Sequence, residues 1–127
     1  MRSPIHATEK LVYLTRMSAT ETAQSILELE MRRIVDVLVK EYQPQKIIIY
    51  SSVARGAAAQ WSDLDLVIIK NTRQRFFDRI GEVLRLIRPR VSIDILVYTP
   101  QEFDRMSREN WFVGEEIARK GRVLYGL

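Results

Sequence analysis

Apolar residues recur every three or four positions in the first third of the chain, which is the spacing of one helix face. The segment Ser18-Ala19-Thr20-Glu21 resembles a capping box, in which a hydroxyl and a carboxylate three residues apart satisfy free N–H groups at a helix start. Pro44 cannot continue a helix, so we expect one long helix over residues 18–42. The positions predicted to face the core are Ala23, Ile26, Leu27, Met31, Ile34, Val35 and Leu38.

Short apolar runs replace the helical pattern after this helix. Residues 46–50 and 64–70 are rich in isoleucine, leucine and valine, over lengths that are typical of buried strands. A second helical pattern covers residues 72–88 and ends before Pro89, and a third strand is predicted over residues 91–97. The inward positions predicted for the second helix are Phe76, Phe77, Ile80, Val83, Leu84 and Ile87.

The C-terminal third predicts two short helices and a last strand. Thr99 can cap a helix that has Pro100 at its first position, with Glu102 reaching back to the cap. A further short helix runs through residues 117–120, and residues 123–125 form a last strand. Helices and strands therefore alternate around a small mixed sheet with flanking helices on one face, an α/β or α+β arrangement.

Length and composition fit one folded unit. The chain has 127 residues, of which 46% are apolar, enough for one domain with a hydrophobic core. We expect an N-terminal arm at residues 1–17 and a single domain at residues 18–127. The absence of cysteine excludes disulfides and thiolate metal sites and agrees with a cytoplasmic protein. No apolar run is long enough for a signal peptide or a membrane span.

Three aspartates interrupt the predicted strands. Asp63 and Asp65 are two positions apart, so in a strand their carboxylates share a face while Leu64 and Leu66 face the core. Such like charges repel each other, and Mg²⁺ binds carboxylates of this kind together with substrate phosphates. Asp94 lies in another apolar strand, where its charge needs compensation. Three carboxylates from two strands would suit phosphoryl or nucleotidyl transfer.

The strand at residues 46–50 runs directly into small polar residues and a predicted short helix, an arrangement that can bind phosphate. Backbone N–H groups and the hydroxyls of Ser51 and Ser52 would point at the anion, and Arg55 could add charge-assisted hydrogen bonds. Gly56 allows a tight turn. Each half alone has a simpler interpretation, because an Asp-x-Asp pair is usually a solvated strand face and the serines could merely cap the helix.

The two halves together resemble the nucleotidyltransferase superfamily, specifically its short, single-domain minimal members. The family pattern is Gly-Ser, two residues, Arg-Gly, an Asp-x-Asp strand and an aspartate on a later strand. The resemblance extends from about Tyr42 to the C-terminus and implies the nucleotidyltransferase fold. The matching positions are Ser52, Arg55, Gly56, Asp63, Asp65 and Asp94.

The resemblance also implies a reaction and a site. Asp63 and Asp65 would hold one or two Mg²⁺ ions, and Asp94 would bind a second ion or accept the proton of the acceptor. An acceptor hydroxyl would attack the α-phosphorus of ATP or another nucleoside triphosphate, and pyrophosphate would leave. The residues expected to bind the nucleotide phosphates are Ser51, Ser52, Arg55 and Gly56.

One position departs from the family pattern. Ser51 stands where the family has glycine, and a Cβ there disfavours a positive φ and a close approach of the backbone to phosphate. This departure leaves a rival interpretation from another class: a non-catalytic module with the same fold that docks on a helical partner or on RNA.

The resemblance further implies a partner. Larger members join a catalytic core to a helical region that holds the acceptor, and this chain has the length of the core. Minimal members are paired with an all-helical HEPN-domain protein, for which they act as the antitoxin, so the acceptor could be a tyrosine hydroxyl on that partner. A homo-oligomer is the alternative, and the apolar face of the helix at residues 18–42 offers a surface for either.

Charge and the remaining aromatic residues add little to this picture. A net charge of +4 could attract nucleotide, nucleic acid or an acidic partner. Trp61 could stack on a base, but a packing role is the simpler interpretation, and Trp111 and Phe112 are predicted to be core or interface residues. His6 stands alone and supports no site. The arginines at and around the second helix are interpreted as solvated: Arg73, Arg75, Arg79, Arg85, Arg88 and Arg90.

Overall fold

The computed structural model describes residues 19–58 and 62–127, with the backbone alone at residues 19–21 and at Ser52. The predicted arm at residues 1–17 and Trp61 lie outside the described residues. The elements in chain order are α1 (Ala19–Val37), a first π-helix (Leu38–Tyr42), β1 (Lys46–Tyr50), α2 (Ser51–Ala54), β2 (Leu64–Ile69), α3 (Phe76–Ile87), β3 (Ile93–Tyr98), α4 (Pro100–Glu109), a second π-helix (Val113–Arg119) and β4 (Arg122–Tyr125).

The strands form one mixed sheet in the order β3-β2-β1-β4. Strand β1 is antiparallel to both of its neighbours, β2 and β4, whereas β2 and β3 run parallel. The parallel pair requires a crossover, and α3 provides it between β2 and β3. The predicted α/β (α+β) architecture with a small mixed sheet is therefore confirmed.

One face of the sheet is covered by α1, the first π-helix and α3. The buried positions of α1 continue into the π-helix, which ends at Gln43, a residue in the left-handed conformation. The predicted long helix over residues 18–42 is thus present from Ala19 onward, with its last turn widened, and Ser18 of the predicted capping box lies outside the described residues. Its inward residues pack with those of α3 on this face of β1, β2 and β3; the largest fully buried ones are Ile34, Leu38, Ile47, Ile49, Leu64, Leu66, Ile68, Val83 and Ile87.

The other face of the sheet is covered as well, so the prediction of helices on one face only was wrong. Both faces of β1 and β2 are apolar, which is typical of strands that are buried on both sides. Helix α4 and the second π-helix pack on this second face, where Val113 and Ile117 are buried. The strand residues beneath them are Ile48, Tyr50, Val67, Ile69 and Tyr98.

Helix α3 differs from its prediction in where it starts and in what it buries. It begins at Phe76 because the Thr72 hydroxyl accepts a hydrogen bond from the Gln74 N–H (3.1 Å), which favours a local turn over a helix. Phe77, predicted to face inward, is 81% exposed, and Arg79, predicted to be solvated, is 6% exposed. No helix in the described ranges is both long enough and apolar enough to cross a membrane.

Candidate active site

Two of the three predicted aspartates meet where β2 and β3 lie side by side. The strand register places Asp65 between Tyr50 of β1 and Asp94 of β3, so the three side chains project from the same face of the sheet. The two carboxyl groups are close enough for the charge of Asp94 to act on Asp65. Like charges at such a spacing repel each other, so the ionised form of Asp65 is disfavoured.

The pKa of Asp65 is raised above its usual value. Burial is the largest cause, and the charges of Asp94 and Asp63 act in the same direction, whereas a hydrogen bond from Ser51 opposes them. A cation beside this carboxyl group would lower the pKa of Asp65, because it would stabilise the ionised form. None of the ion pairs among residues 19–58 and 62–127 involves Asp63, Asp65 or Asp94, so no basic side chain of this part of the chain pairs with the three aspartates.

Asp63 lies just before β2, close enough for its charge to act on Asp65. In the described part of the chain, no three acidic, histidine or cysteine side chains come close enough to form a metal-binding group. Of the three predicted metal ligands, Asp65 and Asp94 thus lie side by side, and Asp63 lies near them without completing a group of three. The pair fits a hard divalent cation, because Mg²⁺ uses one or two protein carboxylates and completes its shell with water and substrate phosphates.

Ser51, the position that departs from the family pattern, has a positive φ of 68°. It is the first residue of α2 and follows Tyr50, the strand partner of Asp65. Left-handed backbone costs a residue with a Cβ about 1–2 kcal/mol relative to glycine. The Ser51 hydroxyl donates the hydrogen bond that lowers the pKa of Asp65, so this side chain supplies an interaction that glycine cannot.

The turn that was predicted to bind phosphate is short, and its phosphate binding stays a prediction. Helix α2 has four residues, and the backbone of Ser52 lies in its first turn. Arg55 ends the helix with an exposed side chain that takes part in none of the ion pairs found among the described residues. Gly56 has a φ of 70°, and its N–H donates to the Val53 carbonyl (3.1 Å), which confirms the tight turn.

Tyr50 is a site residue that the sequence interpretation missed. Burial, followed by the nearby charges of Asp65 and Asp94, raises the pKa of its hydroxyl to about 12. Its ring meets Phe112 edge to face, with the ring centroids 5.9 Å apart. The pairing of β1 with β2 is the signal that would have found it, because residues opposite each other in neighbouring strands share a face.

Comparison with known proteins agrees with this geometry. Residues 31–92 match the model of the nucleotidyltransferase domain family, a range that includes β1, α2, β2 and α3. A Methanocaldococcus jannaschii protein named "putative protein adenylyltransferase" is 28% identical over an alignment of 102 residues that covers 77% of this chain and 97% of that protein.

A solved structure is similar over most of the chain. A Sulfolobus solfataricus "putative nucleotidyltransferase" superposes with a TM-score of 0.64 at 20% identity, covering 87% of this chain and 90% of that one. This likeness shows a shared fold. The domain-family match and the M. jannaschii relative support the interpretation of this chain as a minimal nucleotidyltransferase.

Proposed function

We propose that this protein is a Mg²⁺-dependent transferase that moves a nucleoside monophosphate from ATP to a hydroxyl group on another protein. The observation that carries the proposal is the Asp65–Asp94 carboxyl pair, which lies at the end of β1 beside the turn from Ser51 to Gly56. A pair of carboxylates next to exposed backbone N–H groups can bind a metal-nucleotide complex from two sides. The name of the M. jannaschii relative supports adenylate as the group and protein as the acceptor.

The residues divide into two functions in this mechanism. Bound Mg²⁺ would be held by Asp65 and Asp94 with Asp63, and it would supply charge neutralisation for the phosphates. The turn at Ser51 and Ser52 and the Arg55 guanidinium would bind the β- and γ-phosphates. The acceptor oxygen then forms a bond to the α-phosphorus, and the bond from that phosphorus to the bridging oxygen breaks to release pyrophosphate. Asp94, the exposed member of the pair, would accept the hydroxyl proton in the alternative arrangement, in which it does not hold a metal ion.

The acceptor is proposed to belong to a helical partner protein of the HEPN type, for which this chain would act as the antitoxin in the cytoplasm. A homo-oligomer is the alternative source of the acceptor pocket. The apolar contact surface predicted on the first long helix is smaller than expected, because most apolar residues of α1 lie in the core. Ile26 (49% exposed) and Leu29 (65% exposed) remain outside, one helical turn apart, as a contact for either partner.

The test uses ATP labelled at the α-phosphate, the purified chain and its co-expressed genomic neighbour. We expect label on the neighbour, and we expect Asp65→Asn and Asp63→Asn each to remove it without unfolding the domain. Asp36→Asn, at an exposed aspartate on α1, is the matched control and should transfer normally. Calorimetry with Mg-ATP completes the test, and the proposal fails if the wild type neither binds ATP nor labels any protein, RNA or small-molecule hydroxyl.

The non-catalytic binding module remains the second candidate, and the positive φ of Ser51 favours it, because the strain falls within the phosphate-binding turn. The same experiment separates the two. Label transfer supports the enzyme, whereas a stable complex with the neighbour and no label under any condition supports the module.

A further inference from the structure

Two adjacent aromatic residues lie exposed at the start of the second π-helix. Trp111 is 73% exposed and Phe112 is 47% exposed, although both were predicted to be core or interface residues. Their neighbours Val113 and Ile117 already fill the core contact of this segment, at 4% and 0% exposure. Large aromatic side chains that the core does not need are typical of binding surfaces.

The backbone that carries these two residues is fixed on both sides. The Asn110 side chain accepts a hydrogen bond from the Val113 N–H (3.1 Å), and the Asn110 carbonyl accepts one from the Gly114 N–H (3.0 Å). Gly114 also packs closely against α4, since a Cβ there would lie 2.4 Å from the Ser107 carbonyl oxygen. The position of the aromatic pair is therefore set before any ligand arrives.

Phe112 lies beside the proposed active site. Its ring contacts the ring of Tyr50, and Tyr50 is paired across the sheet with Asp65, which is paired in turn with Asp94. The order Phe112, Tyr50, Asp65, Asp94 thus runs across one face of the sheet. A nucleotide whose phosphates lie at the carboxyl pair and the adjoining turn would have its base within reach of this aromatic edge.

We propose that Phe112, with Trp111 beside it, forms the surface on which the base of the nucleotide stacks; this rests on the function proposed above. The ring of Phe112 is continuous with the carboxyl pair through Tyr50, and Trp111 precedes it as a second exposed aromatic residue. Aromatic stacking recognises any base through its π-face, so the chemical class of the ligand is a nucleobase joined to a phosphate chain.

The test compares two ligands that share phosphates and differ in the base. Calorimetry measures the binding of Mg-ATP and of Mg-tripolyphosphate to the wild type, to Phe112→Leu and to Trp111→Leu. Phe112→Leu keeps an apolar contact with Tyr50 and removes the π-face, so we expect about tenfold weaker Mg-ATP binding and unchanged Mg-tripolyphosphate binding. Phe77→Leu, at an exposed phenylalanine on α3, is the matched control and should change neither.

A second measurement does not depend on the stability of the Phe112 variant. The chain has two tryptophans, so Trp61→Phe leaves Trp111 as the only one, and selective excitation of tryptophan reports on it. We expect Mg-ATP to quench its emission and Mg-tripolyphosphate to leave it unchanged. If Phe112→Leu weakens the binding of Mg-ATP and of Mg-tripolyphosphate equally, or weakens neither, the proposed base site is overturned. If Phe112→Leu binds Mg-ATP normally but no longer binds the neighbouring protein, the base site is also overturned. The two aromatic residues would then contact the acceptor protein. If the wild type binds tripolyphosphate and ATP equally, only the base site fails; if it binds neither, the proposed function fails with it.

Discussion

The charged side chains in the interior and at the end of the sheet have two different kinds of surroundings. Glu30 and Arg79, at 7% and 6% exposure, are both fully engaged by partners of the fold. Glu30 accepts hydrogen bonds from the Arg33 side chain (2.7 and 2.9 Å) and from the Arg90 N–H (2.6 Å). Arg79 donates to the carbonyls of Gln74 and Val97 and to the Glu102 carboxylate.

The carboxyl pair at the end of the sheet is the contrasting case. Asp65 faces a second carboxyl group, Asp94, and a third acidic charge nearby, Asp63, so its surroundings disfavour its ionised form. A fold gains nothing from such an arrangement unless another species supplies the missing positive charge. The charges that are paired within the fold thus stabilise the structure, whereas the like-charged Asp65–Asp94 pair is the candidate for chemistry.

The largest effect that would sharpen this contrast is expected at Asp65. Asp65→Asn should lower label transfer by about 10³-fold or more, because it removes a proposed metal ligand from the reacting centre. The free energy of unfolding in the absence of metal should stay equal or rise, since the change relieves repulsion with Asp94. Activity assays and urea denaturation measure the two quantities. A variant that is destabilised and still active would show that Asp65 belongs with the structural charges.

At Arg79, a substitution is expected to lower stability and to leave nucleotide binding unchanged. Arg79→Leu should lower the free energy of unfolding by about 2–3 kcal/mol, below the usual cost of breaking a buried ion pair because the Glu102 side chain is 31% exposed and stays hydrated. Nucleotide affinity of the remaining folded protein should be unchanged. Urea denaturation checks the prediction, with Arg73→Leu at an exposed position as the control. A loss of less than about 0.5 kcal/mol would remove Arg79 from the structural group.

The two kinds of carboxylate should also respond oppositely to acid. The Arg33 hydrogen bond holds the pKa of Glu30 below its usual value, so its contribution to stability is present above about pH 4.3 and is lost as the pH falls through the folded pKa. The pKa of Asp65 is raised, so the folded state binds its proton first and this group favours folding as the pH falls.

Thermal unfolding at several pH values, without metal, measures this difference. Glu30→Gln should cost about 1 kcal/mol at pH 7 and progressively less below about pH 4. Asp65→Asn should instead flatten the pH dependence between neutral pH and about pH 4. Identical pH profiles for the two variants would contradict the contrast.

The features of the fold and the candidate site that could be predicted from the sequence are those that depend on residues close together in the chain. Local signals located α4 correctly, because its capping box is formed by Thr99 and Glu102 within three residues (3.2 and 2.7 Å). Asp63 and Asp65 were expected to share a strand face, but β2 begins at Leu64, after Asp63, and it is the pairing of β2 with β3 that places Asp65 beside Asp94. The burial of Arg79 could not be read from its helix, because its partner Glu102 lies on α4, and the role of Tyr50 depends on the pairing of β1 with β2.

The smallest effect is expected at Ser51, where strain and hydrogen bonding act against each other. Ser51→Gly relieves the positive φ of 68° but removes the hydroxyl that donates to Asp65, whereas Ser51→Ala removes the hydroxyl and keeps the strain. The backbone strain of about 1 kcal/mol is already present in the unliganded protein, so its relief changes the free energy of unfolding and not the affinity. Bound Mg²⁺ would replace the hydroxyl as the group that stabilises the Asp65 charge. We therefore expect Ser51→Gly to raise the free energy of unfolding by up to about 1 kcal/mol, as measured by urea denaturation, and both variants to bind Mg-ATP within about twofold of the wild type, as measured by calorimetry. Weaker binding in both variants would show that the serine hydroxyl contributes to the site, and that the departure from glycine serves it.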